Sequence, residues 1–263
     1  MSGRCRGGTL TVRILLVSDV HANLEALEAC LAVIPEHDLL VNLGDVVGYN
    51  ASPNEVCERL QAMKGLIVRG NHDRACSGLT DLNEFNPIAA LSAYWTRNTL
   101  SPDNLEWLRE LRPGPLRRDG LPGVEFVHGS PRDEDEYLLN PSAAEISLRL
   151  PNHLGRIFFG HTHVQGGFVL ENGKTRPVAL RFERSTGVAK LKVPLGSGAR
   201  YLINPGSVGQ PRDGDWRAAF ALYDDSPGSV TFYRVPYELQ QAQERIYAAG
   251  LPERLAVRLG HGR

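Results

Sequence analysis

The sequence has no long apolar run, no paired-cysteine motif and no excess of either charge. No stretch approaches the length of a membrane-crossing helix, so no membrane partner is expected. The one early apolar segment, Leu10 to Val17, is interrupted by Arg13 and leads straight into Ser18-Asp19, which fits a buried strand better than a signal-peptide core. The cysteines Cys5, Cys30, Cys57 and Cys76 are scattered without CxxC spacing, which points to reduced thiols in a cytoplasmic protein and away from a disulfide framework. With 29 Lys+Arg against 30 Asp+Glu the net charge is −1, so no global field draws the chain to nucleic acid, and no stable nucleic-acid complex is expected. No repeat, low-complexity tract or linker divides the 263 residues, and a single domain over 1–263 is the expectation. Whether it self-associates as a homo-oligomer is left open.

What is present is a strand, loop, helix alternation. Val12 to Val17 reads as a strand, followed by a helix from Leu24 to Val33 with Asn23 as N-cap. Asp38 to Leu43 reads as a second strand, and Ser52-Pro53 opens a second helix, with Ser as cap and Pro at its first position. Leu66 to Arg69, Val124 to Val127 and Arg156 to Phe159 are further strands, and residues 86–111 form a helical flank or cap split at Pro102. From Gly167 the character changes to hairpins, with Asn172-Gly173 a strong turn signal and Asp224 to Gly228 another. A largely antiparallel sheet followed by helices is therefore expected over 167–263, and residues 181–199 read as an exposed hairpin. The alternation argues for an α/β class in which strands deliver functional loops at their C-terminal ends.

Five of the eight histidines stand in short motifs at those strand ends, together with Asp, Asn and Gly. In order they are Asp19-Val20-His21, Gly44-Asp45, Gly70-Asn71-His72-Asp73, His128-Gly129 and Gly160-His161-Thr162-His163. Imidazole and carboxylate in combination suit manganese, iron, zinc or nickel, and the lack of a cysteine ligand argues against a structural zinc site. His37, His153 and His261 lie outside any motif and read as surface residues, and Asp133 to Glu136 as a solvated acidic loop.

The ordered set D-x-H, GD, GNHD, H, GHTH resembles the calcineurin-like metallophosphoesterase superfamily over residues 19–163, with further similarity at Asn204-Pro205-Gly206-Ser207. The resemblance implies a four-layer α/β/β/α sandwich of two mixed sheets flanked by helices. It also implies two divalent transition-metal ions, manganese first, with Asp19, His21 and His163 on one, Asn71, His128 and His161 on the other, and Asp45 bridging them. His72 would be the general acid, with Asp73 beside it to orient the ring and raise its basicity. The implied activity is hydrolysis of a small phosphate ester, diester or monoester and nucleotide-derived, by a metal-bridging hydroxide. A non-catalytic scaffold and a nuclease are the alternatives; the filled ligand positions speak against the first and the near-zero charge against the second.

One departure from the pattern bears on the substrate. Where the protein-phosphatase branch and its symmetrical dinucleoside-polyphosphate relatives carry GD-x-VDRG, this chain reads Gly44-Asp45-Val46-Val47-Gly48-Tyr49-Asn50, without the phosphate-gripping arginine, and so resembles the small bacterial phosphodiesterase branch instead. Arg132 and Arg212 are the candidates to bind substrate in its place, because a guanidinium matches phosphate oxygens two at a time.

Overall fold

A computed structural model describes residues 11–151, 155–182, 186–226 and 228–263. Alternate side chains of the first strand, β1 (Arg13–Val17), serve two different cores. Ile14 and Leu16 enter a layer between two sheets, and Leu15 and Val17 enter a layer shared with helices. The strand reads as one continuous apolar run because neither face meets water.

Helix α1 (Leu24–Leu31) follows, capped as expected by the Asn23 side chain, which accepts from the amide of Ala26. It leads to β2 (Leu39–Asn42), then α2 (Pro53–Ala62), whose Pro53 stands at the start although the Ser52 hydroxyl makes no capping bond. The short strand β3 (Leu66–Ile67) runs into α3 (Asn71–Cys76). Pro102 divides the next helical stretch into α4 (Pro87–Thr99) and α5 (Pro102–Glu110), which flank α2 and α3. Then come β4 (Val124–Phe126), α6 (Pro141–Leu148) and β5 (Arg156–Phe158). The remainder comprises β6 (Gly166–Glu171), β7 (Lys174–Pro177), β8 (Ala189–Pro194), β9 (Arg200–Asn204), β10 (Ala218–Asp224), β11 (Ser229–Val235), α7 (Leu239–Ala248) and α8 (Glu253–Leu259).

These strands form two mixed sheets, in the orders β3-β2-β1-β10-β11-β8 and β4-β5-β9-β6-β7. The inner faces, including Phe126, Phe158, Ile203, Ala221 and Phe232, pack against each other. Helices α1, α2, α7 and α8 cover the outer face of the first sheet, and α6, through Ala144 and Leu148, covers that of the second. The result is the expected four-layer α/β/β/α sandwich.

Three expectations need correction. The strands after Gly167 do not make a sheet of their own: β10, β11 and β8 extend the first sheet, each antiparallel to the strand before it beginning with β10 against β1, and β6, β7 and β9 extend the second. Alternation showed that these were strands but carried no information on which edge each would join. Residues 189–194, expected in an exposed hairpin, instead close the edge of the first sheet against β11; part of the partner segment, residues 183–185, lies outside the described residues, as do Cys5, Leu10 and His153. The Asp133–Glu136 loop is docked as well as acidic, with Glu134 paired to Arg69 and Arg74 and Asp135 paired to Arg74.

Candidate metal centre

The loops after β1, β2, β3, β4 and β5 converge at the C-terminal ends of the parallel strands of both sheets, the position where α/β folds gather reacting groups. Five of the candidate ligands hold left-handed backbone: Asp19 (φ 51°), His21 (47°), Asp45 (56°), His161 (63°) and His163 (58°). Such angles are unfavourable for side chains with a Cβ and persist only where the surroundings impose them. Here the loops are stitched together through backbone bonds, with the amides of Asp19 and His21 donating to the carbonyls of Gly44 and Asp45, each at 2.9 Å. The Asn204–Arg212 turn completes the brace. Amides of Val208 and Gly209 donate to Ser18 and Asp19, the Ser207 hydroxyl donates to the Asp19 carbonyl, and Asn204 donates to the carbonyl of Gly160. Close approach explains two glycines of the motifs: a Cβ on Gly70 would lie 2.1 Å from Asp45 Oδ1, and one on Gly160 would lie 2.1 Å from Ser18 Oγ.

The side chains so held form two groups that share one carboxylate. Asp19, His21, Asp45 and His163 make one, Asp45, His128 and His161 the other, with the donor atoms of each group within 4.8 Å of one another. Asp45 Oδ1 accepts from the His72 amide at 2.8 Å, while Oδ2 lies 3.5 Å from His21 Nε2 and 3.4 Å from His128 Nε2. Asn71 joins the second group, its Oδ1 3.1 Å from His128 Nε2. All seven sequence-predicted ligands therefore meet at one place.

The donor set fits divalent cations. The Nδ1 atoms of His21 and His163 face the carbonyls of Val47 and Gln210 at 3.0 and 2.6 Å, which places a proton on each Nδ1 and a lone pair on each Nε2. Those two Nε2 atoms stand 3.2 Å apart. Facing lone pairs at that distance repel unless a cation lies between them. His128 is oriented the same way, by the Leu43 carbonyl at 2.8 Å. His161 is reversed: its Nε2 faces the Asp135 carbonyl at 3.1 Å, which leaves Nδ1 to turn inward. The second carboxylate oxygens of Asp19 and Asp45 are buried without a hydrogen-bond partner among the described residues, as a ligand atom would be.

The calcineurin-like phosphoesterase family model matches residues 12–165, which span all five ligand-bearing loops. The chain belongs to that family. As a calcineurin-like phosphoesterase it is a metal-dependent phosphoric ester hydrolase. It is 35% identical over 263 residues to an uncharacterised protein of Methanocaldococcus jannaschii, covering 95% of this chain and 98% of that one. Among solved structures it is similar to a metallophosphoesterase from Sphaerobacter thermophilus, at 38% identity and a TM-score of 0.78, covering 96% of this chain and 99% of the other. A hypothetical protein from Pyrococcus horikoshii shares the fold, with a TM-score of 0.77 at 22% identity over 96% of this chain and 99% of the other.

Burial and mutual charge set the ionisation of this phosphoesterase's centre in its metal-free form. Burial, reinforced by Asp45, raises the Asp19 pKa to about 7, whereas Asp45 is held well below the usual carboxylate range, the His128, His72 and His21 rings outweighing its burial. Burial pulls His128 down, but the Asp45 and Asp19 charges and the Leu43 carbonyl together raise it to about 10. His21 and His163 are driven well below the ordinary imidazole value by burial, and His161 falls to about 3 through burial and the His128 charge.

The expected partnership of His72 and Asp73 does not form. The Asp73 carboxylate accepts from four backbone amides: Asp45 and Gly70 on Oδ2, both at 2.9 Å, and Val46 and Val47 on Oδ1, at 2.8 and 3.2 Å. It thus ties the β2 loop to the start of α3, and its adjacency to His72 in sequence reverses in space because neighbouring residues on a helix point apart. His72 is a member of neither ligand group. Its ring packs edge-on against His21 at 4.9 Å and against Tyr49 at 4.4 Å, with Nδ1 buried and unpartnered among the described residues. Burial lowers its pKa to about 4, so it is neutral at pH 7 and not the near-neutral acid expected.

The two arginine candidates part company. Arg132 is exposed and paired with Glu136 at 2.5 Å, four residues on. Arg212 donates its amide to the His163 carbonyl and sets its guanidinium 5.8 Å from the centroid of the Tyr49 ring. Sequence reasoning missed Tyr49, whose ring lies 4.7 Å from His21, and Tyr137, whose ring lies 3.8 Å from His161, so that one aromatic flanks each half of the centre. It also missed Arg258 on α8, 5.8 Å from the same Tyr49 ring. The signal for Tyr49 was its place right after the Gly44-Asp45 motif; for Arg258 there was none.

Proposed function

We propose that the protein hydrolyses a small phosphate ester at a binuclear centre, with manganese the first candidate and iron, zinc or nickel the alternatives. Asp19, His21 and His163 hold one ion, Asn71, His128 and His161 the other, and Asp45 spans both. The observation that carries this reading is the shared carboxylate: Asp45 Oδ2 sits about equally far from His21 Nε2 and His128 Nε2, at 3.5 and 3.4 Å. Metal ions held there supply Lewis-acid activation of water and neutralise charge at phosphorus. The protein's own groups do the rest. Backbone carbonyls lock the imidazoles into the ligating tautomer, Asp73 fixes the loop that carries Asp45, and His72 offers a ring N–H to the leaving oxygen from its neutral form. Arg212, beside Tyr49, contributes positive charge for binding the substrate.

The test pairs metal content with turnover of a chromogenic phosphodiester and monoester. Wild type should bind two ions per chain and turn over in their presence. Asp45→Asn should lose metal and activity together. His72→Ala should keep both ions yet slow turnover by about 10²–10³-fold, the scale of a lost hydrogen-bond donor to a developing oxyanion. Undiminished rates in both variants would overturn the assignment.

A further inference from the structure

Arg212 and Arg258 come from distant parts of the chain, the turn after β9 and the last turn of α8, yet both guanidinium carbons lie 5.8 Å from the centroid of the one ring of Tyr49. That ring touches His21 and His72, so the pair stands immediately beside the metal ligands. Both arginines are half-buried, and neither is paired with an Asp or Glu side chain among the described residues. The Arg212 side chain reaches the Gln210 side chain at 3.1 Å and the Tyr137 hydroxyl, with its Nε buried and unpartnered, and Arg258 donates to the terminal oxygen of Arg263. Most other arginines of the chain that reach a polar partner reach a carboxylate, as Arg59 does with Glu28, Arg74 with Asp135 and Arg217 with Asp215. Burial and the neighbouring Arg212 charge lower the pKa of Arg258, the mark of two like charges held close.

Such an arrangement costs stability in the free protein, and an incoming polyanion offsets it. Beside Tyr49 and Arg258 opens a cavity of about 910 Å³ between α4 and α8, bordered also by Pro87, Ile88, Leu255 and Arg263, with one acidic side chain, the exposed Glu253. Apolar walls take an organic body, and the arginine-rich rim takes charge. A carboxylate brings one negative charge and two oxygens, whereas two guanidinium forks beside an already cationic centre match the oxygens and the higher charge of a phosphoryl group.

Resting on the phosphoesterase reading above, we propose that Arg212 and Arg258 clamp a second phosphoryl group of the substrate over Tyr49, with the organic body attached to it lodged between α4 and α8. The substrate class is then a phosphoester bearing at least one further phosphate beyond the scissile one, such as a nucleoside polyphosphate.

The test compares a dinucleoside polyphosphate with bis(p-nitrophenyl) phosphate, which carries a single phosphate, using the metal-loaded full chain. In Arg258→Met, which keeps the aliphatic stem, the ratio of kcat/KM for the first substrate over the second should fall about 10–100-fold, chiefly through KM, as for the loss of a charge-assisted contact. Arg258→Lys should recover part of the ratio. Titration of the chelator-treated full chain with inorganic pyrophosphate should show the same ranking by calorimetry, wild type tightest and Arg258→Met weakest. An unchanged ratio, or pyrophosphate binding equal in all three proteins, overturns the clamp. Absence of metal-dependent turnover of either substrate by wild type, with pyrophosphate binding intact, overturns instead the phosphoesterase reading on which it rests.

Discussion

His128 and Asp19 carry protons at neutral pH that a metal must displace. In the metal-free protein His128 is raised to about 10 and Asp19 to about 7. Both therefore bind more protons at pH 6 than their ligating forms allow, and metal uptake releases protons. The sign follows: affinity should rise with pH between 6 and 8, by about tenfold per unit from His128 alone, with a further gain below pH 7 as Asp19 must also ionise. Calorimetric titration with Mn²⁺ in buffers of differing ionisation enthalpy counts those protons directly. His128→Asn should flatten the dependence as well as weaken binding. A pH-independent affinity in wild type would show that neither group is protonated before the metal arrives.

At the scale of elements, the junction between the β2 loop and α3 rests on one carboxylate. Asp73 accepts four amide bonds, so Asp73→Ala leaves those donors buried without acceptors, at a cost of about 1–3 kcal/mol for each that finds no substitute. The metal-free variant should lose at least about 2 kcal/mol in thermal or denaturant unfolding and should bind metal more weakly, because Asp45 rides on the loop. Asp73→Asn should fall between the two, since its amide nitrogen turns a donor toward donors. Comparable stability in all three proteins would mean that the four bonds are not the junction. This element also shows where sequence reading stops. The convergence of the candidate ligands was legible because each sat in a short motif at a strand end, and β1 and β2 because their runs were apolar on both faces. Asp73 was misassigned to His72 because adjacency in sequence says nothing about direction on a helix, and α6 went unread although Asn140-Pro141 is a regular helix opening. The sheet membership of β8, β10 and β11 depends on pairings between residues some two hundred positions apart, such as Leu15 with Leu222, and local pattern holds no trace of them.

Across the whole molecule, the candidate ligands come from both sheets: Asp19, His21, Asp45 and Asn71 follow strands of the first, His128, His161 and His163 strands of the second. Bound metal would stabilise the folded chain by mass action, since the unfolded chain presents no such site. Hydrogen exchange should register this unevenly. On metal removal the amides of the β1, β2, β4 and β5 loops should exchange faster, while those at the opposite strand ends, backed by the Phe126, Phe158 and Phe232 core, should change little. Uniform acceleration over both ends would indicate that the ions matter to global stability alone. The geometry has a further consequence for handling the protein. Because five candidate ligands are held in left-handed backbone by loops from opposite sheets that bond to one another, the site should survive chelation as a preformed cradle. A preparation stripped of its ions should then regain them without refolding.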